Sequence, residues 1–245
     1  MKTKMKILSM IILLFTGVTL QSTAQAKLYG KLKKYSDSLP ANFSQIPEDR
    51  KQTLQEIGDW IISQKTDKKK AVLTVICTQN SRRSHLGQIW IKTAAYYYGI
   101  DSIEAFSGGT KSSAFNERAI EALKRAGFSF IKSAGTEPEN PRYLASMGSD
   151  LGNILMYSKK YNDKQNPQSD FGAIMVCSEA DKSCPMVEGA TGRFSLPYDD
   201  PKFYDNTPSE KLKYDERCKQ IATEMFFLFD YVKKKLNLVQ EKAKN

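Results

Sequence analysis

The spacing of apolar residues along this chain changes several times, and each change predicts an element. From Ile7 to Leu20 they run nearly unbroken behind Lys2, Lys4 and Lys6. Leu54, Ile57, Ile61 and Ile62 then recur at helical spacing, with Pro47 suited to a first turn and Glu48 and Asp49 to the positive end of the helix dipole. The run Thr66-Asp67-Lys68-Lys69-Lys70 breaks that period. Ala71 to Cys77, reading AVLTVIC, is continuous, apolar and β-branched, which predicts a strand buried on both faces of a parallel sheet. Ser84 to Tyr98 returns to helical spacing through Leu86, Ile89, Trp90, Thr93 and Tyr97. A strand is predicted from Ile103 to Phe106, closed by Ser107-Gly108-Gly109. A helix from Asn116 to Ala126 stops at Gly127, and a short strand follows from Phe128 to Ile131. Phe171 to Cys177 repeats the buried-strand pattern, and Tyr214 to Leu238 predicts a long amphipathic helix. Strand and helix alternate, which predicts an α/β fold around a central parallel sheet.

Two segments carry no firm period. Lys27 to Asn42 is polar and basic and is expected to lie over the surface as an arm. Lys132 to Ser169, with its glycines and prolines, is expected to form an inserted hairpin and loop. The predicted organisation is a leader over 1–26, an arm and helix over 27–70, and a catalytic domain over 71–245 with an insert at about 132–169.

Charge and composition sharpen this outline. The three early lysines, the apolar run and Ala24-Gln25-Ala26 form the n-region, h-region and small-x-small site of an export signal. The run is shorter than the roughly twenty residues a membrane span requires. Export is therefore expected, most simply to a periplasm, with the membrane touched only through the leader before cleavage; an uncleaved anchor is the alternative. The chain carries 37 Lys and Arg against 27 acids, and +7 remains of its +10 charge once Lys2, Lys4 and Lys6 are set aside. That excess favours an anionic ligand, although tail lysines such as Lys235, Lys242 and Lys244 serve solvation, and no nucleic-acid partner is indicated. Four cysteines are too few for a disulfide scaffold, and a single histidine, His85, excludes the usual zinc sites and a Ser-His-Asp triad.

The chemistry concentrates in the loop after the first core strand, Cys77-Thr78-Gln79-Asn80-Ser81-Arg82-Arg83-Ser84. A thiol at a strand end, six residues before an arginine at a helix start, suits an oxyanion cradle. Backbone N–H groups and the helix N-terminus face a tetrahedral anion while the Arg83 fork holds two of its oxygens. The same positive field favours the thiolate of Cys77, which is its nucleophilic form. The competing reading is that Cys77 is a small buried apolar residue at the end of a strand.

The Cys-x5-Arg-Ser loop, Phe106-Ser-Gly-Gly-Thr110 and Asn116-Glu-Arg-Ala-Ile-Glu-Ala-Leu together resemble the low-molecular-weight tyrosine phosphatase superfamily, and within it the thioredoxin-coupled arsenate reductases. The resemblance covers roughly 71–128 and 171 to the last helix. It implies a flavodoxin-like, four-stranded parallel sheet flanked by helices. It also implies substrate contacts from Thr78, Gln79, Asn80, Ser81, Arg82 and Ser84, with Asn80 and Ser84 bracing the loop and hydrogen-bonding the thiolate. Cys177-Ser-Glu-Ala-Asp-Lys-Ser-Cys184-Pro185 resembles the redox segment of the reductases, so the implied cycle passes from Cys77 to Cys177 to Cys184 and on to an external thiol reductant such as a thioredoxin-like protein, with no other cofactor and no metal. In the phosphatase branch Cys77 forms a phosphoenzyme and Asp200, in Tyr198-Asp199-Asp200-Pro201, is the general acid, with Asp199 as its possible substitute.

Departures from the family pattern keep other readings open. Gln79 stands where the loop usually has glycine, and would be strained if that backbone were left-handed; Arg82 stands where a cysteine is common. Cys177 and Cys184 could form a structural disulfide. A non-catalytic oxyanion-binding or redox-sensing module is the third functional reading. Cys218 shares a helical face with Ile221, Met225, Leu228 and Val232 and is assigned to the core, while Tyr96, Tyr97 and Tyr98 could supply at most one or two rings to a substrate wall.

Overall fold

The computed structural model describes residues 27–66, 69–135, 137–184 and 186–242. The expected leader lies outside them. The elements run α1 (Gly30–Asp37), α2 (Glu48–Thr66), β1 (Ala71–Cys77), α3 (Arg83–Tyr97), β2 (Ile103–Gly109), α4 (Glu117–Ala126), β3 (Ser129–Lys132), β4 (Tyr143–Ser146), β5 (Asn153–Met156), β6 (Phe171–Met175), α5 (Ser178–Ser183), β7 (Ala190–Ser195) and α6 (Glu210–Lys242).

Four strands form a parallel sheet in the order β2-β1-β6-β7. β1 and β6 occupy its centre because they are the apolar runs; every residue of β6 and all of β1 except Val72 are buried. α3 lies across β1 and β2, and Gly87 lets it come close, since a Cβ there would sit 2.8 Å from a methyl of Val75. α2 covers β7 and β1, and α6 packs against α2, α3 and α4. The apolar face of α6 predicted from Cys218 to Val232 is buried, with Trp90 of α3 stacked near Tyr35 and edge-on to Phe226.

Two expectations need correction. The arm over 27–42 contains α1 and the start of a 3₁₀ turn (Pro40–Gln45), anchored by Leu32 and Leu39, both fully buried. The strand expected over Phe128–Ile131 does not enter the main sheet. As β3 it pairs with β4, which pairs with β5, in a separate antiparallel sheet of three strands. The fourth parallel strand is β7, whose mixed ATGRFS sequence lacks the continuous apolar run of a buried strand because it lies at the sheet edge. The insert is thus a hairpin, as expected, built onto β3, followed by a loop that returns to the open edge of β2, where Lys160 bridges Gly109.

Candidate active site

Parallel strands bring their C-terminal ends to one edge, and Cys77, Gly109 and Cys177 meet there. Between β1 and α3 the chain turns through Thr78–Arg82. Gly109 permits that turn, because a Cβ on it would stand 2.7 Å from the Asn80 amide nitrogen. The left-handed residue is Asn80, with φ 44°, and not Gln79. Asparagine tolerates that region better than most residues, so the strain considered for Gln79 does not arise. Among the described residues, the N–H groups of Gln79, Asn80, Ser81 and Arg82 donate to no protein acceptor. They stand at the N-terminus of α3 as free donors for an anion.

A cavity of about 180 Å³ opens over this loop. Cys77, Thr78, Gln79, Ser81, Arg82, Arg83 and Asp200 line it, as do Lys111, Glu179 and Lys202, which sequence reasoning did not single out. Cys77 is buried, and its Sγ lies 3.1 Å from the Ser84 hydroxyl. Ser84 in turn accepts a 2.8 Å bond from Asn80 Nδ2. Neither Asn80 nor Ser84 faces the cavity; both are fully buried behind it.

Arg83 donates to the Tyr198 carbonyl and, at 2.7 Å, to Asp200 Oδ2. Asp200 also caps the 3₁₀ turn Pro201–Tyr204 by accepting from the Lys202 amide. The two acids weighed at this position are therefore distinguished: Asp200 is on the cavity wall, whereas the Asp199 side chain is 95% exposed and pairs outward with Arg217. Arg82 bonds the Tyr214 hydroxyl and Asp205, so much of its charge is matched by neighbours. Burial, with the Asp205 carboxylate beside it, pushes the Tyr214 phenol up to about 12, so it stays protonated and donates to Asp205.

The second cysteine pair sits on α5. Cys177 caps the helix, its Sγ accepting from the Ala180 amide, and the same sulfur lies 3.2 Å from the hydroxyl of Thr78, the residue next to Cys77. That hydroxyl also donates to Glu179. Cys184 closes the far end of α5, half-buried and outside the cavity, and all four cysteines are free thiols. Cys218 belongs to the core, where it accepts a bond from Trp90 and burial pushes its thiol up to about 12. Tyr97 and Tyr98 pack on Phe226 and do not reach the cavity. His85, stacked on Phe115, is buried and held well below the usual imidazole range, chiefly by burial and then by nearby Lys159.

No family model matches the chain. An arsenate reductase of Staphylococcus epidermidis is 28% identical over 132 residues, spanning 54% of this chain and 79% of that protein. One of Staphylococcus aureus is 26% identical over 134 residues, with the same coverage. The chain is similar to the arsenate reductases. Among solved structures, a low-molecular-weight phosphotyrosine phosphatase of Vibrio cholerae aligns at 15% identity with a TM-score of 0.43, covering 65% of this chain and 95% of the phosphatase. One from T. tengcongensis aligns at 14% identity and a TM-score of 0.44, covering 66% and 99%. The sequence relatives are thus named as arsenate reductases and these structural neighbours as phosphotyrosine phosphatases, and both kinds are enzymes.

Among the residues missed, Glu179 lies within the Cys-x6-Cys segment and Lys202 two places after Asp200, so both were legible as neighbours of motif residues. Lys111 had no such signal.

Proposed function

We propose that this chain is an exported, arsenate-reductase-like thiol enzyme acting on a tetrahedral oxyanion. The observation that carries the proposal is the placement of Cys177 Sγ against the hydroxyl of Thr78, the residue that follows the buried Cys77 in the loop. The Cys77 thiolate attacks arsenic, forming an S–As bond as an oxygen leaves as water. Cys177 then attacks the Cys77 sulfur: an S–S bond forms, the S–As pair stays on arsenic, and arsenite departs. Cys184 attacks Cys177, freeing the Cys77 thiol, and an external dithiol reduces the resulting disulfide.

The last exchange requires movement. Cys177 and Cys184 bracket α5, which separates their Cα atoms by about 10 Å at the helical rise, whereas a disulfide needs roughly 7 Å or less. α5 is six residues long, and its opening brings Cys184 inward. Arg83 releases one arm from Asp200 to receive the oxyanion, since both compete for the same N–H groups.

A phosphatase reading is favoured by one feature, the carboxyl of Asp200 on the cavity wall beside Arg83. Two substitutions separate the activities. With a thioredoxin system supplied, Cys177→Ser should abolish arsenite release and leave aryl phosphate hydrolysis nearly intact; full reductase turnover by that variant rules out the relay. A strong fall in aryl phosphate hydrolysis in Asp200→Asn, roughly 10²-fold or more, together with no arsenate turnover by the parent, would establish the phosphatase instead.

A further inference from the structure

The insert does more than fill the space after β3. Its return loop passes directly behind the anion loop, with Ser158 and Lys159 both buried. Lys159 accepts from the Gly109 amide through its carbonyl, and Tyr161 donates back to the Gly109 carbonyl, so the strand end and the insert are laced together. The Ser158 hydroxyl accepts from the Ser113 amide and donates to the Gln79 carbonyl at 3.0 Å. Asn140 holds this strap from outside: its amide donates to the Ser158 carbonyl at 2.8 Å and accepts from the Ser158 N–H at 3.1 Å.

We propose that Asn140 and the Ser158–Lys159 strap are positioning groups for the nucleophile, which they reach by dictating the orientation of the Asn80 amide. The Lys159 backbone N–H points at Asn80 from 2.9 Å and can only donate, so the atom facing it is Oδ1. Nδ2 then faces Ser84 and donates to its oxygen. Ser84, having accepted from Asn80, turns its own hydrogen to the Cys77 sulfur, 3.1 Å away, and a hydrogen bond donated to a thiolate favours the ionised form. With the Asn80 amide reversed, Oδ1 would draw the Ser84 hydrogen away and the thiolate would lose its donor. The insert therefore reaches the sulfur through three hydrogen bonds without touching the cavity.

The inference rests on Cys77 being the nucleophile, and the test separates the two. Iodoacetamide alkylation of Cys77 in the reduced protein is followed peptide by peptide by mass spectrometry from about pH 5 to about 9.5, a range that brackets an ordinary thiol near 8.5. The charged groups sharing its cavity, Arg82, Arg83, Lys111, Lys202, Asp200 and Glu179, are unaltered in every variant. Asn140→Ala is expected to raise the alkylation midpoint by about one pH unit, with Ser158→Ala moving it in the same direction and the exposed neighbour Glu139→Ala leaving it unmoved. An unchanged midpoint in folded Asn140→Ala overturns the inference. Should that variant fail to fold, Ser158→Ala, which keeps the Asn140 pair, decides by the same criterion. A wild-type midpoint at the ordinary thiol value overturns the nucleophile reading itself, whatever the variants do.

Discussion

The two sides of the anion loop are built on opposite principles. In front, toward the cavity, charged and polar groups pair with one another around open space: Arg83 with Asp200, Arg82 with Asp205, Thr78 shared between Cys177 and Glu179. Behind, Asn80, Ser84, Ser158 and Lys159 are buried, and their hydrogen bonds run in fixed directions. The difference teaches where each kind of substitution should register. Groups in front can exchange partners with a substrate, so losing one changes turnover more than stability. Groups behind have no alternative partner, so losing one unsettles the fold or the thiolate.

The strongest way to break this contrast is at Cys77. Cys77→Ser should lower both arsenate reduction and aryl phosphate hydrolysis by more than about 10⁴-fold, while its melting temperature stays within a few degrees of the parent. A large loss of stability would show that the front is structural after all.

Next is Glu224, which is buried with Arg50 at 2.7 Å and accepts from the Tyr198 hydroxyl at 2.7 Å. This cluster joins α2 and α6 to the segment that carries Tyr198 and Asp200. Glu224→Ala leaves a guanidinium and a phenol without their acceptor, and a loss of about 3–5 kcal/mol is expected from chemical denaturation. A loss below about 1 kcal/mol would mean that water replaces the carboxylate.

Lys159 sharpens the picture of the back. Burial holds its ammonium down at about 8, against an ordinary 10.5, with the Tyr157 ring face 4.7 Å from the amine. Between those two values the unfolded chain binds more protons than the folded one, so wild-type stability gains as pH rises through the window, and the burial penalty is complete below it. Lys159→Met should therefore stabilise by as much as about 3 kcal/mol at neutral pH, an advantage that shrinks above pH 8. An advantage that is absent, or constant with pH, would place the amine in water.

The smallest effect is expected at Arg82. Its charge already faces Asp205 and Tyr214, so Arg82→Met should weaken inhibition by inorganic phosphate less than tenfold, or about 1.4 kcal/mol. A larger loss would make Arg82 a second holder of the anion.

Much of the front was legible in the sequence, and little of the back. Cys77 and Arg83 are tied by a short loop between a strand and a helix, so local chain geometry alone brings them together. Asp200 is more than a hundred residues from Arg83, and its position was legible only through the resemblance of its Asp-Pro pair to a family. Ser158, Lys159 and Asn140 carried no signal, because Lys159 reaches the loop through a backbone N–H that any residue possesses, while the Ser158 and Asn140 side chains bond backbone groups far away in sequence. β7 was missed for a related reason. Only Ala190 and Phe194 among its side chains are apolar, and it joins the sheet through main-chain bonds to β6.

Apolar periodicity and short-range spacing were enough to determine the parallel core, the helix that buries Cys218, and the thiol-to-arginine loop, since each depends on residues within a few turns of one another. Only the tertiary structure decided that Asp200 and not Asp199 faces Arg83, that Asn80 carries the left-handed turn, and that the insert lies against the loop. Those outcomes depend on which groups distant in sequence finally share a hydrogen bond, and that is set by how the layers close over one another.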